Sequence, residues 1–385
     1  MDQIFDYVLA GSGAAGLMVA YRMSEDSFFN GKSVLLIDRD EKSNDDRTWC
    51  FWEKGDGEWD HLSSKIWKDI YFGSLSYSAK ISLGAYRYKM IRSSKFYHYL
   101  KNCISKNPSF SILKSEVKNI VQNGNEIDVF TTSGDIKCHK LFNSIADLNL
   151  LTHQNKYHYL KQHFIGWYIR TEEKAFDPDL PVFMDFNLPQ DGNTRFMYVL
   201  PITEKKALVE YTLFSESLLP TEEYESAIRT YLAQKGIIKY EIEEKEMGDI
   251  PMTCYPFEKG NTKNIMYIGS AGGWTKPSTG YTFARTTSIS KKLIDFLKEE
   301  EDFTRFNIKN RYWYYDLVLL DVLFRNNEKG SEIFSSIFKN NNIADVLLFL
   351  DEKGTWINDL KIMLKTKPTW NFSKSAFYQL FTAFK

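Results

Sequence analysis

The feature that most constrains this chain is a glycine-rich turn near its N-terminus, placed between an apolar strand and a helix. Ile4–Ala10 has the short, β-rich pattern of a buried strand, and the turn Gly11-Ser12-Gly13-Ala14-Ala15-Gly16 follows it directly. Leu17–Met23 has helical spacing, and Lys32–Asp38 is a second apolar strand. This order of elements predicts one βαβ unit of the kind that binds a dinucleotide.

Each part of this unit has a mechanical reason. Gly11 allows a tight turn, Gly13 lets the backbone approach a pyrophosphate, and Gly16 lets the helix pack close to the strand. The helix N-terminus offers free N–H groups and a partial positive charge to the phosphates. Asp38 ends the second strand, where it can accept hydrogen bonds from a ribose hydroxyl, and Arg39 follows it. The fingerprint alone does not choose between FAD and NAD.

A second strand–glycine–helix region lies late in the chain and favours FAD. Asn264–Gly269 is a short apolar strand, glycines follow it, and beyond Gly280 the segment Thr282–Lys298 has a helical pattern. Two-domain flavoproteins bring a second helix N-terminus to the flavin in this way, and its dipole favours negative charge such as that of a reduced flavin. The residues predicted to bind the cofactor are Gly11, Ser12, Gly13, Ala14, Ala15, Gly16, Asp38, Arg39, Arg92, Gly269, Ala271, Gly272 and Gly280.

Four candidate strands lie between the two glycine-rich regions. Their sequences are GWYIRTEE, VFMDFN, RFMYVLPIT and KALVEYTLFS, and turn-rich pieces separate them. They predict an antiparallel sheet inserted into the nucleotide-binding fold, while Met90–Leu100 reads as a helix that opens near Arg92. The fold class is therefore α/β: an FAD-binding, Rossmann-like domain of the glutathione-reductase or hydroxylase type, an inserted β-sheet substrate domain and a C-terminal helical region. The predicted limits are 1–50, 90–150 and 260–304 for the first, 51–89 and 151–259 for the second, and 305–385 for the third.

The strand Ala207–Phe214 carries the candidate catalytic group. By the period of two, Leu208, Glu210, Thr212 and Phe214 share one face, and Ala207, Val209, Tyr211 and Leu213 share the other. A carboxyl group buried on such an apolar face resists ionisation and is available to donate a proton at neutral pH. The alternative is that Glu210 is exposed or paired with a cation on a neighbouring strand. Asp185 has a similar setting and the same alternative.

Composition excludes several classes of function. The 49 Lys and Arg residues balance the 50 Asp and Glu residues, which argues against nucleic acid as a partner. The four Cys and six His residues have no metal-ligand spacing, so we expect no metal and reduced thiols. The first apolar run carries Asp6, and no apolar stretch reaches the length of a membrane span, so we expect a cytoplasmic protein. Aromatic residues make up 16% of the chain, which hints at a large apolar ligand.

Several segments resemble the lycopene β-cyclases of carotenoid synthesis. They occur in the order that the family uses, from the first strand to about Leu350. The segments are DRTWCFWE (46–53), FIGWYIRTEEKAFDP (164–178), VFMDF (182–186), YVLPIT (198–203), LVEYT (208–212) and GSAGGWTKPSTGYTF (269–283).

The resemblance implies an isomerase that protonates the linear ends of lycopene and closes them to β-ionone rings, giving γ-carotene and then β-carotene. It also implies reduced FAD, NAD(P)H as the electron donor and no net redox change. Glu210 takes the position of the first acid in the family's Phe-Leu-Glu-Glu-Thr motif, and Tyr211 replaces the second acid. Asp185 matches the acid of the family's Met-Asp motif. Ser270 stands where many related flavoproteins have Asp.

Two other functions on this scaffold stay open: a flavin-dependent monooxygenase or polyprenyl reductase, and a non-catalytic flavoprotein that carries or senses a polyene. The C-terminal segment from Arg305 is helical in pattern and reads either as a cap over the pocket or as an interfacial surface. Because a carotenoid dissolves in the bilayer, we expect peripheral attachment to the inner face of the membrane.

Overall fold

The computed structural model describes residues 4–382, and the side chains within them up to residue 380. The strands are β1 (Ile4–Ala10), β2 (Val34–Asp38), β3 (Thr48–Lys54), β4 (Lys65–Trp67), β5 (Asp69–Gly73), β6 (Ser78–Ser82), β7 (Tyr86–Arg92), β8 (Phe110–Lys114), β9 (Val117–Asn123), β10 (Glu126–Thr131), β11 (Gly134–Asn143), β12 (Leu160–Thr171), β13 (Val182–Asp185), β14 (Thr194–Thr203), β15 (Lys206–Ser215), β16 (Tyr240–Met252) and β17 (Ile265–Tyr267). The helices are α1 (Ala14–Glu25), α2 (Ser93–Ile104), α3 (Asn149–Thr152), α4 (Thr221–Gln234), α5 (Phe283–Glu299), α6 (Arg311–Arg325), α7 (Gly330–Asn340), α8 (Ile343–Leu350), α9 (Trp356–Lys365) and α10 (Thr369–Thr382).

The first sheet has the order β8-β2-β1-β11-β10-β9, and β17 also pairs with β11. Its β8, β2, β1, β11 and β17 strands run parallel, while β9, β10 and β11 form an antiparallel meander. Alternate residues of the central strands serve two cores. Leu9 and Leu36 pack with α1, α2 and α5, and Val8 and Leu35 pack with the meander. Both faces of the parallel strands are therefore buried, as the continuous apolar runs require.

The second sheet has the order β16-β12-β15-β14-β13-β5-β6. Val209 and Tyr211 face a core that includes α4, whereas Leu208 and Phe214 face a core that includes α6, α7 and α8. This alternation confirms the two faces predicted for the strand that carries Glu210. A small third sheet, β3-β7-β4, adds Trp52, Trp67, Tyr86 and Tyr88 to the core on the Leu208 side.

The predicted α/β fold class is confirmed, with corrections to individual elements. Residues Met90–Arg92 complete β7 rather than open a helix, because they pair with β3, and α2 begins at Ser93. The inserted sheet is not wholly antiparallel, since β13 runs parallel to β5. The thirteen-residue strand β16 was not predicted, because its charged residues mask the period of two.

Candidate active site

One large cavity, of about 750 Å³, lies between the start of α1, the Leu208 face of the second sheet and the C-terminal helices. Its wall is mainly apolar and aromatic. The aromatic lining includes Trp49, Tyr88, Phe183, Phe196, Tyr198, Phe214, Tyr281, Phe283, Phe334 and Phe338. A cavity of this size and character suits a small-molecule ligand with few polar groups.

The glycine-rich turn fits a dinucleotide at one end of this cavity. Gly11 has φ +95°, in the left-handed region that glycine adopts readily. A Cβ atom on Gly16 would lie 2.0 Å from the carbonyl oxygen of Gly11, so the helix packs as closely as predicted. A Cβ on Gly13 would meet nothing within 4 Å, and Gly13, Ala14 and Ala15 line the cavity. The open space beside the N-terminus of α1 is where a pyrophosphate would approach the backbone.

Asp38 lies at the end of β2, next to the turn, but its carboxylate is already engaged. One oxygen accepts hydrogen bonds from the backbone N–H and the hydroxyl of Ser12, at 2.6 and 3.0 Å. The other oxygen accepts from the backbone N–H of Asp40 at 2.9 Å. A carboxylate has about four acceptor positions, so one remains for a ribose hydroxyl.

The late glycine region lines the same cavity, directly beside the α1 turn: a Cβ on Gly269 would lie 2.8 Å from the Cβ of Ala15. Gly269, Ser270 and Gly280 line it, while Ala271 and Gly272 are buried behind it. Gly269 and Gly280 have φ near +60° and +70°, and a Cβ on Gly280 would lie 2.3 Å from the Oε1 of Gln162. The two glycine-rich regions therefore border one continuous space.

Glu210 lies in the middle of the cavity wall, with 7% of its surface exposed. The hydroxyl of Thr212 donates a hydrogen bond to Oε1 of Glu210. Burial raises the pKa of Glu210 to about 8, and the neighbouring carboxyl of Glu246 acts in the same direction. A carboxyl with such a pKa is protonated at neutral pH and can act as a general acid.

The predicted site residues Asp185, Arg92 and Arg39 do not line the cavity. Asp185 is buried, but it accepts hydrogen bonds from the Tyr231 hydroxyl at 3.1 Å and from the backbone and side chain of Asn187. Arg92 pairs with Asp45 at 3.0 Å and with Glu244 at 2.7 Å. Neither borders the cavity, because each is turned toward partners of its own. Arg39 is exposed beyond the end of β2.

Several charged residues of the cavity wall were missed from the sequence, among them Lys42, Arg47 and Glu246. Glu246 lies near Glu210, with Gly166 between them in the sheet. Lys42 and Arg47 follow β2 in an irregular segment without periodicity, so no local pattern indicated them. One sequence signal bears on Glu246. Gly166 is a lone glycine within a strand, and such a glycine indicates that groups on the neighbouring strands approach closely there.

A buried ion cluster holds the loop that follows the late glycines. Lys276 bonds both carboxylate oxygens of Asp316 at 2.8 and 2.9 Å and lies 3.3 Å from Glu352. Ser278 donates to Asp316 at 2.5 Å. Since Lys276 and Asp316 are almost fully buried, removing Lys276 would leave the Asp316 carboxylate without its cation. The cluster thereby fixes the loop against α6. Among the described residues, no group of His, Cys, Asp and Glu side chains could hold a metal ion.

A comparison with protein families decides where the chain belongs. The family described as lycopene cyclase protein matches residues 6–376. The chain belongs to the lycopene cyclase family. It is 26% identical over 315 residues to the chloroplastic lycopene beta cyclase of Arabidopsis thaliana, covering 75% of this chain and 59% of that relative. It is 23% identical over 303 residues to the lycopene beta-cyclase of Pseudescherichia vulneris, covering 75% of this chain and 73% of the relative. The chain thus spans less than two thirds of the plant relative.

Solved structures with the same fold are more distant in sequence. A geranylgeranyl bacteriochlorophyll reductase-like protein from Thermoplasma acidophilum superposes with a TM-score of 0.62 at 12% identity, covering 96% of this chain and 98% of the other. A p-nitrophenol 4-monooxygenase from Pseudomonas putida gives 0.58 at 11% identity, covering 98% of each chain. The flavin-dependent brominase Bmp2 gives 0.57 at 13% identity, covering 97% and 98%. At these identities the likeness establishes the fold alone.

In this member of the lycopene cyclase family, the residue after Glu210 points away from the cavity. Tyr211 is buried in the core on the α4 side, where its hydroxyl accepts a hydrogen bond from Arg195 at 3.3 Å. Consecutive residues of a strand face opposite sides of the sheet. An acid at position 211 would therefore not reach a ligand bound in the cavity that Glu210 lines. The loss of that acid therefore leaves the cavity wall unchanged.

Proposed function

We propose that this chain is a lycopene β-cyclase, an isomerase that closes the linear ends of lycopene to β-ionone rings without net redox change. The observation that carries the proposal is Glu210: a carboxyl group kept protonated by burial, in the wall of a large apolar cavity that adjoins a dinucleotide site.

The reaction needs what this wall offers. Glu210 gives its proton to the terminal double bond, which leaves a tertiary cation, and the internal double bond attacks that cation to form the ring. The resulting ring cation then loses a proton from carbon. An apolar wall keeps water from capturing either cation. Aromatic faces stabilise a desolvated cation by about 2 kcal/mol each. Tyr198 lies opposite Glu210 in the sheet, its hydroxyl oxygen is 2.5 Å from that of Tyr88, and both tyrosines line the cavity.

The proposed cofactor is FAD in its reduced form, with NAD(P)H as the electron donor. The residues that would hold it are the α1 turn at Gly11–Gly16, Asp38 and the late loop at Gly269–Gly280, whose geometry fits a dinucleotide. A reduced flavin would supply negative charge near the cavity. The chain's own part is to position the pyrophosphate at the start of α1 and to keep the cavity closed to water. The domain limits stated from the sequence are part of the same proposal.

A monooxygenase or polyprenyl reductase is the second candidate, because the solved structures with this fold include a monooxygenase and a reductase-like protein. Either reaction would consume NAD(P)H with the substrate and would add oxygen or hydrogen to it. The acid at Glu210 favours the isomerase, since neither oxygen activation nor hydride transfer needs a protonated carboxyl on that strand. A protein that only carries a polyene would not need Glu210 at all.

Expression in a host that accumulates lycopene tests the proposal. We expect cyclic pigments with one or two β-rings and the same elemental formula as lycopene. Linear pigment in cells that contain the folded, yellow protein would contradict cyclase activity, and pigments with added oxygen or hydrogen would favour the second candidate. The Glu210→Gln variant should keep its flavin and lose cyclisation.

The proposal includes peripheral attachment to the cytoplasmic face of a membrane, through a surface that we call the α9–α10 surface. It consists of the exposed apolar residues Trp356, Ile357, Leu360, Leu364, Trp370, Phe377 and Leu380. Leu360 and Leu364 also line the cavity, so the surface is continuous with the route to Glu210. Within the described residues, no helix is long and apolar enough to cross a bilayer.

The charge around the α9–α10 surface suits anionic lipid headgroups. From Leu360 to the C-terminus the sequence has five lysines and no acidic residue, and Lys361, Lys365, Lys367 and Lys374 are exposed. Each such lysine contributes about 1 kcal/mol near an anionic membrane. Sedimentation with vesicles tests this: we expect binding to phosphatidylglycerol that weakens with salt. Equal or absent binding to phosphatidylglycerol and phosphatidylcholine would contradict it.

A further inference from the structure

Glu210 has a second carboxyl group beside it, on a strand that is not its neighbour. In the register of the second sheet, Gly166 of β12 lies opposite Glu210 of β15 on one side and opposite Glu246 of β16 on the other. Residues that lie directly opposite each other point to the same face of a sheet. Both carboxyl groups therefore project toward the cavity, and both line it.

Gly166 allows the two groups to approach, because it has no side chain to separate them. A Cβ atom there would lie 3.4 Å from the Cβ of Glu210 and 3.3 Å from the Cγ of Glu246. It would also lie 2.8 Å from Cδ1 of Leu208, closer than side chains pack. The space over Gly166 is thus bordered by one carboxyl on each side.

The surroundings of the two groups differ, and they make Glu246 easier to ionise than Glu210. Glu246 accepts a hydrogen bond from the Thr48 hydroxyl at 2.7 Å, and the Arg92 guanidinium lies nearby, 4.1 Å from the Tyr168 ring. Burial raises the pKa of Glu246 to about 7, while both partners oppose that effect and favour its ionised form, so its pKa stays below that of Glu210. Glu210 has no cation among the groups that shift its pKa. When two adjacent carboxyls hold one proton, the carboxyl without a cation nearby keeps it and is the acid, and the carboxyl with a cation nearby is the base.

We infer that Glu246 is the base that removes the proton from the ring cation, while Glu210 is the acid that starts the reaction. This inference rests on the proposed function. The O–H bond of Glu210 breaks as a C–H bond forms at the terminal double bond, and the internal double bond closes the ring. A ring C–H bond then breaks, its electron pair becomes the ring double bond, and the proton passes to the Glu246 carboxylate. Return of that proton to Glu210 restores the starting state, so the pair holds one proton before and after each cycle.

The Glu246→Gln variant tests this assignment, with Glu241→Gln as the control, because Glu241 is an exposed carboxyl on the same strand. We expect Glu246→Gln to keep its flavin absorbance and to lower kcat about 100-fold or more, the range of general acid–base catalysis. We expect KM to change little. We also expect the remaining product to carry its ring double bond at a neighbouring carbon, because the cation must lose a different proton.

Glu246→Asp supplies the second variant and should recover part of the rate and the normal double-bond position. A wild-type rate and product in Glu246→Gln would overturn the assignment. A slow Glu246→Gln enzyme with the normal product, not rescued by Glu246→Asp, would also overturn it, since that pattern indicates a structural role. Cyclisation by the wild-type enzyme and by Glu241→Gln must be measured alongside. If neither converts lycopene, the proposed function itself fails.

Discussion

Replacing Glu210 by Gln should make the folded protein less sensitive to alkaline pH. The pKa of Glu210 is raised from 4.5 to about 8, mainly because its carboxyl is buried, so the folded state resists the ionisation that the unfolded chain undergoes freely. Each unit of this shift corresponds to about 1.4 kcal/mol. The sign follows from proton binding: above pH 4.5 the folded state holds a proton that the unfolded state has released, so stability falls as pH rises toward 8.

The magnitude follows from the same two pKa values. Ionisation opposes folding by about 2 kcal/mol at pH 6 and by about 4 kcal/mol at pH 8. Glutamine does not titrate, so the wild-type protein should lose about 2 kcal/mol of unfolding free energy relative to Glu210→Gln between these pH values.

Urea unfolding of both proteins at pH 6, 7 and 8 measures this difference, and Glu241→Gln is the control for removing an exposed carboxyl. The carboxylic acid C=O band in infrared difference spectra should also persist to pH 8 in wild type and lose intensity in Glu210→Gln. Cyclisation by the wild-type enzyme should decline above pH 8, where Glu210 becomes ionised. If the stability difference between wild type and Glu210→Gln is the same at pH 6 and pH 8, Glu210 is not a buried neutral acid and the reasoning fails.

Four further substitutions separate the parts of the site. Gly13→Val should lower flavin affinity at least 10-fold by filling the open space beside α1, as equilibrium dialysis can measure. Gly166→Ala should retain flavin yet slow cyclisation, because its Cβ would press on Leu208 and the glutamates; an unchanged rate by pigment chromatography would contradict this. Asp185→Asn should lower the unfolding free energy by about 1–3 kcal/mol through its lost hydrogen bonds, at unchanged kcat; loss of kcat in the folded variant would instead support its predicted catalytic role. Trp370→Ser, at a side chain that is 77% exposed, should reduce vesicle binding about 10-fold without lowering Tm, and unchanged sedimentation would exclude it from the membrane contact.

The sequence predicted the elements whose signals are local. The turn at Gly11–Gly16 is flanked by a strand and a helix whose periodicities can be read directly, and the structure has both. The two faces of β15 follow from the period of two, so the side of the strand to which Glu210 points could be predicted as well. A buried apolar strand with one acid in its middle is an unusual pattern. The inference of a buried acid at Glu210 therefore needed no information from distant residues.

The parts of the site that the sequence did not predict depend on pairing between strands that are distant in the chain. Glu246 lies in a segment of alternating charges, and nothing within that segment indicates that β16 pairs with β12 opposite Gly166. Arginine is a residue type that binds phosphate, yet Arg92 forms a salt bridge with Glu244, which lies more than a hundred residues later in the chain. The local sequence pattern determines which face of the sheet a residue occupies. Its contacts with residues on other strands depend on which strands pair, and the local pattern does not show this.

The continuity of the cavity with the α9–α10 surface has a consequence for a substrate with two reactive ends. Under the proposed function, a rod-shaped polyene that entered past Leu360 and Leu364 would bring its leading terminus to Glu210, while its trailing terminus would stay near the entrance. Converting both termini requires the molecule to withdraw, reverse in the bilayer and re-enter. Catalysis would then be distributive: the half-converted pigment leaves after each event and becomes a free competitor for the next one. The ratio of one-ringed to two-ringed pigment would follow how long the molecule stays in the lipid as well as the speed of proton transfer.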